Sequence, residues 1–97
     1  HHNYSFNGGC NTQTCWTTKL ATVAAQVPII TSELGEDDCD HTYIDSYFGW
    51  ADPLGVSYIG WTWNNWSCGS GPSLVTDFLG TPTTSFGEGF KTHLLAQ

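Results

Sequence analysis

The sequence predicts an α/β fold in which short parallel strands alternate with helices. Apolar runs of strand length alternate with segments of helical periodicity, in the order strand, helix, strand, helix, strand, loop, helix. This alternation is typical of right-handed βαβ units, which bring their strands side by side in a parallel sheet. A doubly wound sheet would also fit, but no Gly-x-Gly-x-x-Gly loop follows the first strand, so a dinucleotide-binding fold has no support.

The three predicted strands are short and rich in branched and aromatic side chains. They cover His2–Phe6, residues 27–31 and residues 56–63. Pro28 lies near the start of the second strand, where its missing N–H does least harm. Three strand–helix units in 97 residues average roughly 32 residues each, which is close to one-eighth of a ~250-residue (β/α)8 barrel.

Each predicted helix has one apolar face, as expected for a helix that packs on a sheet. The residues of these faces are Trp16, Leu20, Val23 and Ala24 in a helix over about 15–26, then Ile44, Tyr47, Phe48 and Ala51, and finally Phe86, Phe90 and Leu94. The second helix has Asp40 as its predicted N-cap and ends at Pro53 and Gly55. Ser85 and Glu88 have the spacing of a capping box, which predicts the start of the last helix.

The chain is acidic, with two basic residues, nine acidic residues and a formal net charge of −7. Nucleic acids and anionic membrane surfaces are therefore not expected as partners, because both are bound through basic patches. No run approaches the ~18 apolar residues that span a bilayer. The five tryptophans favour a neutral polymer such as a polysaccharide, because the apolar C–H faces of sugars stack on aromatic rings.

Four cysteines in so short a chain indicate an oxidising compartment, so the sequence predicts a secreted protein with disulfide bonds. Three pairings are possible. Cys10 and Cys15 are close enough for a local bridge, which leaves Cys39 for Cys68. A zinc site is disfavoured because neither cysteine pair has the two-residue spacing of a zinc knuckle. A calcium site is disfavoured because the acidic segment does not match an EF-hand loop. We predict neither a metal nor a cofactor.

Glu33 is the candidate catalytic residue. It is predicted to lie just past the C-terminal end of the second strand, and catalytic groups of (β/α)8 barrels lie at that rim. His2 and Tyr4 alternate on one face of the first strand and end at the same rim, where they could position a carboxylate and bond a sugar hydroxyl. The alternative for Glu33 is a solvated loop carboxylate, since residues 36–38 are also acidic.

Aromatic and amide side chains at the end of the third predicted strand form a second candidate group. Trp61 and Trp63 are predicted to point to the same side of that strand, with Asn64, Asn65 and Trp66 just beyond. One tryptophan could belong to the core and the other could be a stacking platform at the mouth of the barrel. Amides beside tryptophans favour sugar as the ligand.

Four segments of the chain resemble family 5 glycoside hydrolases, in the right order and at the right intervals. Residues 25–36 (Ala-Gln-Val-Pro-Ile-Ile-Thr-Ser-Glu-Leu-Gly-Glu) look like the seventh-strand segment, where the Glu is the nucleophile. Residues 55–64 (Gly-Val-Ser-Tyr-Ile-Gly-Trp-Thr-Trp-Asn) resemble the eighth strand, which carries a substrate-binding tryptophan. Residues 2–4 match the His-x-Tyr of the sixth strand, and residues 80–83 are similar to the end of the same barrel.

The resemblance implies that residues 1–97 are the C-terminal portion, strands six to eight, of a (β/α)8 barrel. It implies retaining hydrolysis of β-linked glucans, of the endo-β-1,4-glucanase or cellulase type, through a covalent glycosyl-enzyme. In this interpretation Glu33 attacks the anomeric carbon, while Tyr4 and His2 orient it. Trp61 forms the floor of the subsite before the scissile bond, Trp63 is the second choice, and Asn64 contributes to sugar binding.

The chain departs from the family in its second carboxyl group. A retaining enzyme needs an acid/base carboxyl roughly 5–5.5 Å from the nucleophile, and the family places it in an Asn-Glu pair that this chain lacks. Glu36 or Asp38 would have to replace it.

Three strands also cannot close a barrel, so we expect a complementary N-terminal fragment or self-association. The alternative function is a non-catalytic carbohydrate-binding fragment that uses Trp61, Trp63 and Trp66.

Overall fold

A computed structural model describes residues 1–97 apart from the side chain of Cys68. Its three strands, β1 (His2–Tyr4), β2 (Ile30–Gly35) and β3 (Ser57–Gly60), form one sheet in the order β1-β2-β3. Both pairs of neighbours are parallel. The predicted α/β class and the parallel arrangement are therefore confirmed.

Helices connect the strands and follow the last one. The helical segments are α1 (Gln13–Cys15), a π-helical segment (Trp16–Leu20), α2 (Ala21–Ala24), α3 (Thr42–Ala51), a 3₁₀ helix (Asp52–Leu54), a second 3₁₀ helix (Cys68–Ser70) and α4 (Phe86–Leu95). The first three run on without a break and replace the single helix predicted over about 15–26. Gly55 has a left-handed backbone with φ of 68°, which ends the second helical stretch where the sequence predicts.

The strand bounds differ from the predicted ones because a strand extends only as far as a neighbour can pair with it. β1 ends at Tyr4 rather than Phe6, and β2 lies three to four residues later than the predicted strand over 27–31. β3 ends at Gly60 rather than at residue 63. After Trp61, whose N–H still donates to the Leu34 carbonyl at 2.8 Å, the N–H of Thr62 donates to a loop carbonyl outside the sheet.

The core lies between the sheet and the helices, and Trp16 is at its centre. The Trp16 ring is 1% exposed and meets Tyr47 edge-on, with 4.7 Å between the ring centroids. Its indole N–H donates to the Cys10 carbonyl at 2.9 Å and to Asn3 Oδ1 at 3.3 Å. Two predicted core positions are wrong: Val23 is 44% exposed and Leu94 is 53% exposed.

The N-terminus of α4 is capped differently from the prediction. Ser85 occupies the N-cap position, but its side chain makes no capping bond, so the predicted box with Glu88 does not form. Instead, the hydroxyl of Thr83 accepts a hydrogen bond from the N–H of Gly87 at 2.9 Å and donates to the Ser73 carbonyl at 2.7 Å. The Thr83 hydroxyl, rather than that of Ser85, therefore accepts from one of the backbone N–H groups in the first turn of α4 that have no partner within the helix.

A polar cluster ties the end of α4 to the rest of the fold. His93 Nε2 lies 3.1 Å from Asp52 Oδ2 and 2.7 Å from the Tyr58 hydroxyl. The Tyr58 hydroxyl also donates to Asp52 Oδ1 at 2.6 Å, and the His93 ring stacks on Phe48 with 3.8 Å between centroids. This cluster joins α4, β3 and the end of α3, which assigns His93 a structural role.

We expect Gly87→Ala to destabilise the fold and Gly49→Ala to stabilise it slightly. A Cβ on Gly87 would lie 2.0 Å from the Leu74 carbonyl oxygen, so the helix would have to move, at a cost of about 3 kcal/mol. Gly49 is exposed on α3 with open space around it, so alanine should gain about 1 kcal/mol of helix propensity. Denaturant unfolding of the two matched variants measures both effects. Equal stabilities would contradict this account of how closely α4 packs.

Candidate functional site

The predicted site residues of the first two strands meet at the carboxyl edge of the sheet. Because the strands are parallel, their C-terminal ends lie along one edge, at Tyr4, Gly35 and Gly60. Glu33 lies within β2, opposite His2 in the β1–β2 ladder, rather than just past the strand as predicted. The strand continues to Gly35 because β1 offers it a pairing partner there.

The carboxylate of Glu33 is held by two side chains from β1. The hydroxyl of Tyr4 donates a hydrogen bond to Glu33 Oε2, and His2 Nδ1 lies 3.3 Å from the same oxygen. Burial, and then the hydrogen bond to Glu33, raise the pKa of Tyr4 above its ordinary value, so the phenol keeps its proton and remains a donor. Both contacts are to Oε2, so Glu33 Oε1 has no hydrogen-bond partner among the described side chains.

A β-bulge in β2 determines the direction in which Glu33 points. Thr31 pairs with Tyr58 of β3, and Leu34 pairs with Gly60. β2 therefore advances three residues while β3 advances two, so β2 contains one extra residue. This extra residue lets Thr31 and Leu34 both face the helices, where each is 0% exposed. In a regular strand, residues three apart would point to opposite faces. Glu33 is thereby directed toward the open face of the sheet, with a quarter of its side chain exposed.

Trp61 lies directly beside the end of the strand that carries Glu33. A Cβ on Gly35 would be 2.7 Å from the Trp61 carbonyl oxygen, so only glycine allows this approach. The side chain of Trp61 remains 39% exposed. Its position past β3, rather than within it, corrects the prediction that Trp61 and Trp63 share one side of a strand, because the chain leaves the sheet between them.

Trp63 and Asn64 lie farther along the same loop. Trp63 is 59% exposed and packs on Gly80, where a Cβ would be 3.2 Å from Trp63 Cη2. Asn64 Oδ1 accepts from the Asn65 N–H at 2.8 Å. No hydrogen bond among the described side chains joins Trp63 or Asn64 to Glu33. The structure therefore brings together His2, Tyr4 and Glu33, while the backbone of Trp61 lies beside Gly35, two residues after Glu33.

Glu36 has a role that the sequence analysis missed. Its carboxylate is 1% exposed and accepts hydrogen bonds from the N–H groups of Ile44 at 2.9 Å and Tyr43 at 3.3 Å. These amides, in the first turn of α3, have no partner within the helix. Burial raises the pKa of Glu36 to about 7, although the two amide bonds act in the opposite direction. A buried carboxyl of this kind cannot reach a substrate, which argues against Glu36 as the substitute acid.

The predicted cap of α3 is also wrong. Asp40 accepts from the N–H of His41 at 2.8 Å and from the hydroxyl of Thr42 at 3.0 Å, so it does not bond the free amides of the first turn. His41 occupies the N-cap position without a capping bond from its side chain. Glu36, held in place by the sheet, reaches those amides instead. No spacing rule in the sequence connects Glu36 to a helix that begins six residues later.

Neither metal ligation nor a membrane span is found in the described part of the chain. No group of three or more His, Cys, Asp or Glu side chains there could hold a metal ion. A shallow depression between α3 and α4 is lined in part by His41, Asp45 and Glu88, and none of the candidate residues His2, Tyr4, Glu33 and Trp61 lines it. None of the described helices is long and apolar enough to cross a bilayer.

The local disulfide predicted by the sequence is present. Cys10 and Cys15 are bonded, with their Cα atoms 5.4 Å apart. Cys39 is also disulfide-bonded. The side chain of Cys68, which the predicted second bridge involves, lies outside the described residues.

Comparison with known proteins identifies the kind of fold. No family model matches the chain, and a search of curated proteins finds no match. Among solved structures, it is similar to the native form of a β-glucanase from Saccharophagus degradans, with a TM-score of 0.68 and 27% sequence identity. The match covers 86% of this chain and 27% of the β-glucanase. The chain therefore has a glucanase-like α/β fold and spans about a quarter of the length of that enzyme.

We expect the free energy of unfolding to fall as the pH rises from about 4.5 past 7, because the pKa of Glu36 is raised from an ordinary 4.5 to about 7. Between these values the folded state keeps a proton that the unfolded state has lost. The stabilisation is complete below the lower value and is lost above the higher one, and it amounts to about 3 kcal/mol.

Denaturant titrations across this pH range measure the effect. Glu36→Gln should flatten the profile, while Glu88→Gln, which removes an exposed carboxylate, should leave the slope unchanged. A parent profile that matches the profile of Glu36→Gln would show that Glu36 carries no raised pKa.

Proposed function

We propose that the chain is part of a retaining glycoside hydrolase that acts on β-linked glucans, with Glu33 as the nucleophile. One observation carries this proposal: at the strand ends of a glucanase-like fold, Tyr4 and His2 hold one oxygen of an accessible carboxylate, and its other oxygen remains unbonded among the described side chains.

The chemistry follows from this geometry. Glu33 Oε1 forms a bond to the anomeric carbon while the glycosidic C–O bond breaks and the acid/base carboxyl protonates the departing sugar oxygen, which gives a covalent glycosyl-enzyme. Tyr4 and His2 keep the carboxylate in the orientation of attack through Oε2. Trp61, whose backbone lies beside the end of β2 and whose side chain is 39% exposed, is proposed to offer an apolar surface to a sugar ring. Water then hydrolyses the intermediate, with retention at the anomeric carbon.

In this proposal the acid/base carboxyl comes from outside the chain. Glu36 is buried as the cap of α3, and the sequence contains no Asn-Glu pair. Asp38, the other candidate, lies in the exposed loop after β2, where its Oδ1 accepts a hydrogen bond from the N–H of Asp40 at 3.1 Å. We therefore propose that residues 1–97 form strands six to eight of a (β/α)8 barrel. The exposed Ile30 and Ile59, on the face away from the helices, support this proposal, because in a closed barrel they would be covered by the strands that this sheet lacks. A complementary fragment or self-association would cover the same face.

Substrate and location follow as parts of the same proposal. The structural neighbour is a β-glucanase, and we propose a β-linked glucan, of the β-1,4 type, as the substrate. The Cys10–Cys15 bridge supports an extracellular site of action, because such bonds persist in oxidising compartments. The chemistry of the proposed residues needs neither a metal nor a cofactor.

Glu33 can be tested without an acid partner. A dinitrophenyl 2-deoxy-2-fluoro-β-cellobioside has a leaving group that departs unprotonated, so the nucleophile alone suffices to form the glycosyl-enzyme. We expect the chain to gain one fluorocellobiosyl group, located by peptide mass spectrometry on Glu33. Glu33→Gln should stay unlabelled, and Glu88→Gln, an exposed carboxylate on α4, should label like the parent.

Two results would contradict the nucleophile assignment. One is labelling at a carboxylate other than Glu33. The other is binding of a short β-1,4-glucan oligosaccharide, detected by tryptophan fluorescence, without any labelling of the chain.

Tyr4→Phe should slow labelling of Glu33 by about a hundredfold, because it removes a donor that fixes the nucleophile. Phenylalanine keeps the ring that stacks on Phe6 at 4.8 Å, so the thermal stability should change little. Labelling rates of the parent and the variant give the comparison. An unchanged rate would assign Tyr4 to packing alone.

A second candidate function is sugar binding without catalysis. The exposure of Trp61, Trp63 and Trp66, all between 39% and 59%, favours it. Such a fragment should keep its oligosaccharide affinity in Glu33→Gln and lose it in Trp61→Ala, and the fluorinated glycoside should not label it.

A further inference from the structure

A half-exposed phenylalanine lies against the tyrosine that contacts Glu33. The rings of Tyr4 and Phe6 stack, with 4.8 Å between their centroids and 28° between their planes. This arrangement is favourable for an aromatic pair. Tyr4 is 8% exposed and Phe6 is 53% exposed, so Phe6 is the outer member of the pair and contributes little to the core. Its ring contact is with the residue whose hydroxyl donates to Glu33.

A turn at the end of β1 brings the two rings together. The N–H of Asn7 donates to the Tyr4 carbonyl at 3.3 Å, which closes a turn with Ser5 and Phe6 at its centre. In a continuing strand, residues two positions apart are separated by about 6.6 Å along the strand axis. Because the chain turns instead, the Phe6 ring comes within stacking distance of Tyr4.

Hydrogen bonds on both sides of Ser5 hold this turn in place. The N–H of Ser5 donates to the Gly35 carbonyl at 3.2 Å, which ties the turn to the end of β2. The Ser5 carbonyl accepts from the side-chain amide of Asn11 at 3.2 Å. The Asn11 carbonyl in turn accepts from the hydroxyl of Tyr43, on α3, at 3.1 Å. The backbone that carries Phe6 is therefore connected to both the sheet and a helix.

The orientation of the Tyr4 ring decides whether its hydroxyl reaches Glu33. The hydroxyl is at the far end of the ring, so a small rotation about the side-chain bonds of Tyr4 moves it away from Glu33 Oε2, and hydrogen bonds weaken steeply with such misalignment. Phe6 restricts these rotations because it occupies the space on one face of the ring. It also shields the ring from water, and burial is the largest cause of the raised pKa of Tyr4.

We propose that Phe6 is a positioning residue, which holds the Tyr4 ring in the orientation from which its hydroxyl fixes the carboxylate of Glu33. The inference rests on the proposed function where it concerns catalysis, since that function assigns Glu33 as the nucleophile. Phe6 acts through Tyr4 and not by contact with the sugar. Its loss should therefore lower the rate of glycosyl-enzyme formation and leave the affinity for the glycoside unchanged.

The labelling kinetics of Phe6→Ala test this role. With the fluorinated dinitrophenyl cellobioside, the dependence of rate on concentration separates the rate constant of glycosyl-enzyme formation from the binding constant. We expect the rate constant to fall about tenfold, which corresponds to about 1.4 kcal/mol, and the binding constant to stay the same. Phe6→Tyr, which keeps a stacking ring, should label like the parent.

Phe78→Ala is the matched control. Phe78 is 64% exposed and makes no ring contact with Tyr4 among the described residues, so its removal should leave both constants unchanged. Equal losses in Phe6→Ala and Phe78→Ala would overturn the proposal, because they would show a general effect of removing an exposed aromatic ring.

The double variant Tyr4→Phe with Phe6→Ala separates positioning from direct sugar binding. Because Phe6 acts through the Tyr4 hydroxyl, Phe6→Ala should cause no further loss once that hydroxyl has been removed. Losses that multiply in the double variant, or a weaker binding constant in Phe6→Ala, would overturn the proposal, since a ring that touches the sugar would produce them.

A second measurement does not depend on the labelling reaction. NMR follows exchange of the Tyr4 hydroxyl hydrogen with solvent through the deuterium isotope shift of the tyrosine Cζ carbon, and Tyr4→Phe assigns the signal. We expect exchange about tenfold faster in Phe6→Ala than in the parent, because the ring is freer to turn away from Glu33. The hydroxyls of Tyr43 and Tyr47, which bond to other groups, should exchange as in the parent and so verify that the fold is intact.

Failure of this inference is distinct from failure of the proposed function. If the parent is labelled at Glu33 and Phe6→Ala leaves the Tyr4 hydroxyl exchange unchanged, the nucleophile stands and the positioning role of Phe6 is wrong. If Phe6→Ala speeds up the exchange but the parent is not labelled, Phe6 does hold Tyr4 against Glu33, and the nucleophile assignment is wrong.

Discussion

The extra residue in β2 is the constraint on which the candidate site depends. A regular strand would alternate its side chains between the helix face and the open face. With the bulge, Thr31 and Leu34 can both be buried under the helices, while Glu33, which lies between them, faces outward. The ladder with β1 then brings Tyr4 and His2 against the same carboxylate. Core packing and site geometry are therefore set by one local irregularity.

Two carboxylates three residues apart show how the environment separates chemical roles. Glu33 lies on the open face of the sheet, where the Tyr4 hydroxyl and the His2 ring of β1 contact its carboxylate, and a quarter of its side chain is exposed. Glu36 lies under α3, bonded to two backbone amides, and its pKa is raised by burial. Glu33 is therefore partly accessible to solvent, whereas Glu36 is part of the helix cap. Because both belong to one acidic segment, composition cannot tell them apart.

The order of the elements could be predicted because apolar periodicity is a local property of the chain. Positions such as Trp16, Tyr47 and Phe90 recur at helical spacing and are buried as expected. The strand ends and helix caps could not be predicted in the same way. They depend on which neighbour offers a hydrogen bond: β1 extends β2 to Gly35, and the Thr83 hydroxyl, from a loop, caps α4 in place of Ser85. Those partners are distant in the sequence or follow no spacing rule.

The sequence by itself determined the α/β class, the parallel arrangement, and the choice of Glu33, Tyr4 and His2 as one group, since parallel strands bring their carboxyl ends to one edge. Only the tertiary structure decided that Tyr4 and His2 contact the same oxygen, that Glu36 is a buried cap, and that Trp63 packs on the Gly80 turn instead of lying in a strand. The physical reason is that periodicity specifies which face a residue occupies, whereas hydrogen-bond partners and bulges depend on contacts between segments far apart in the chain.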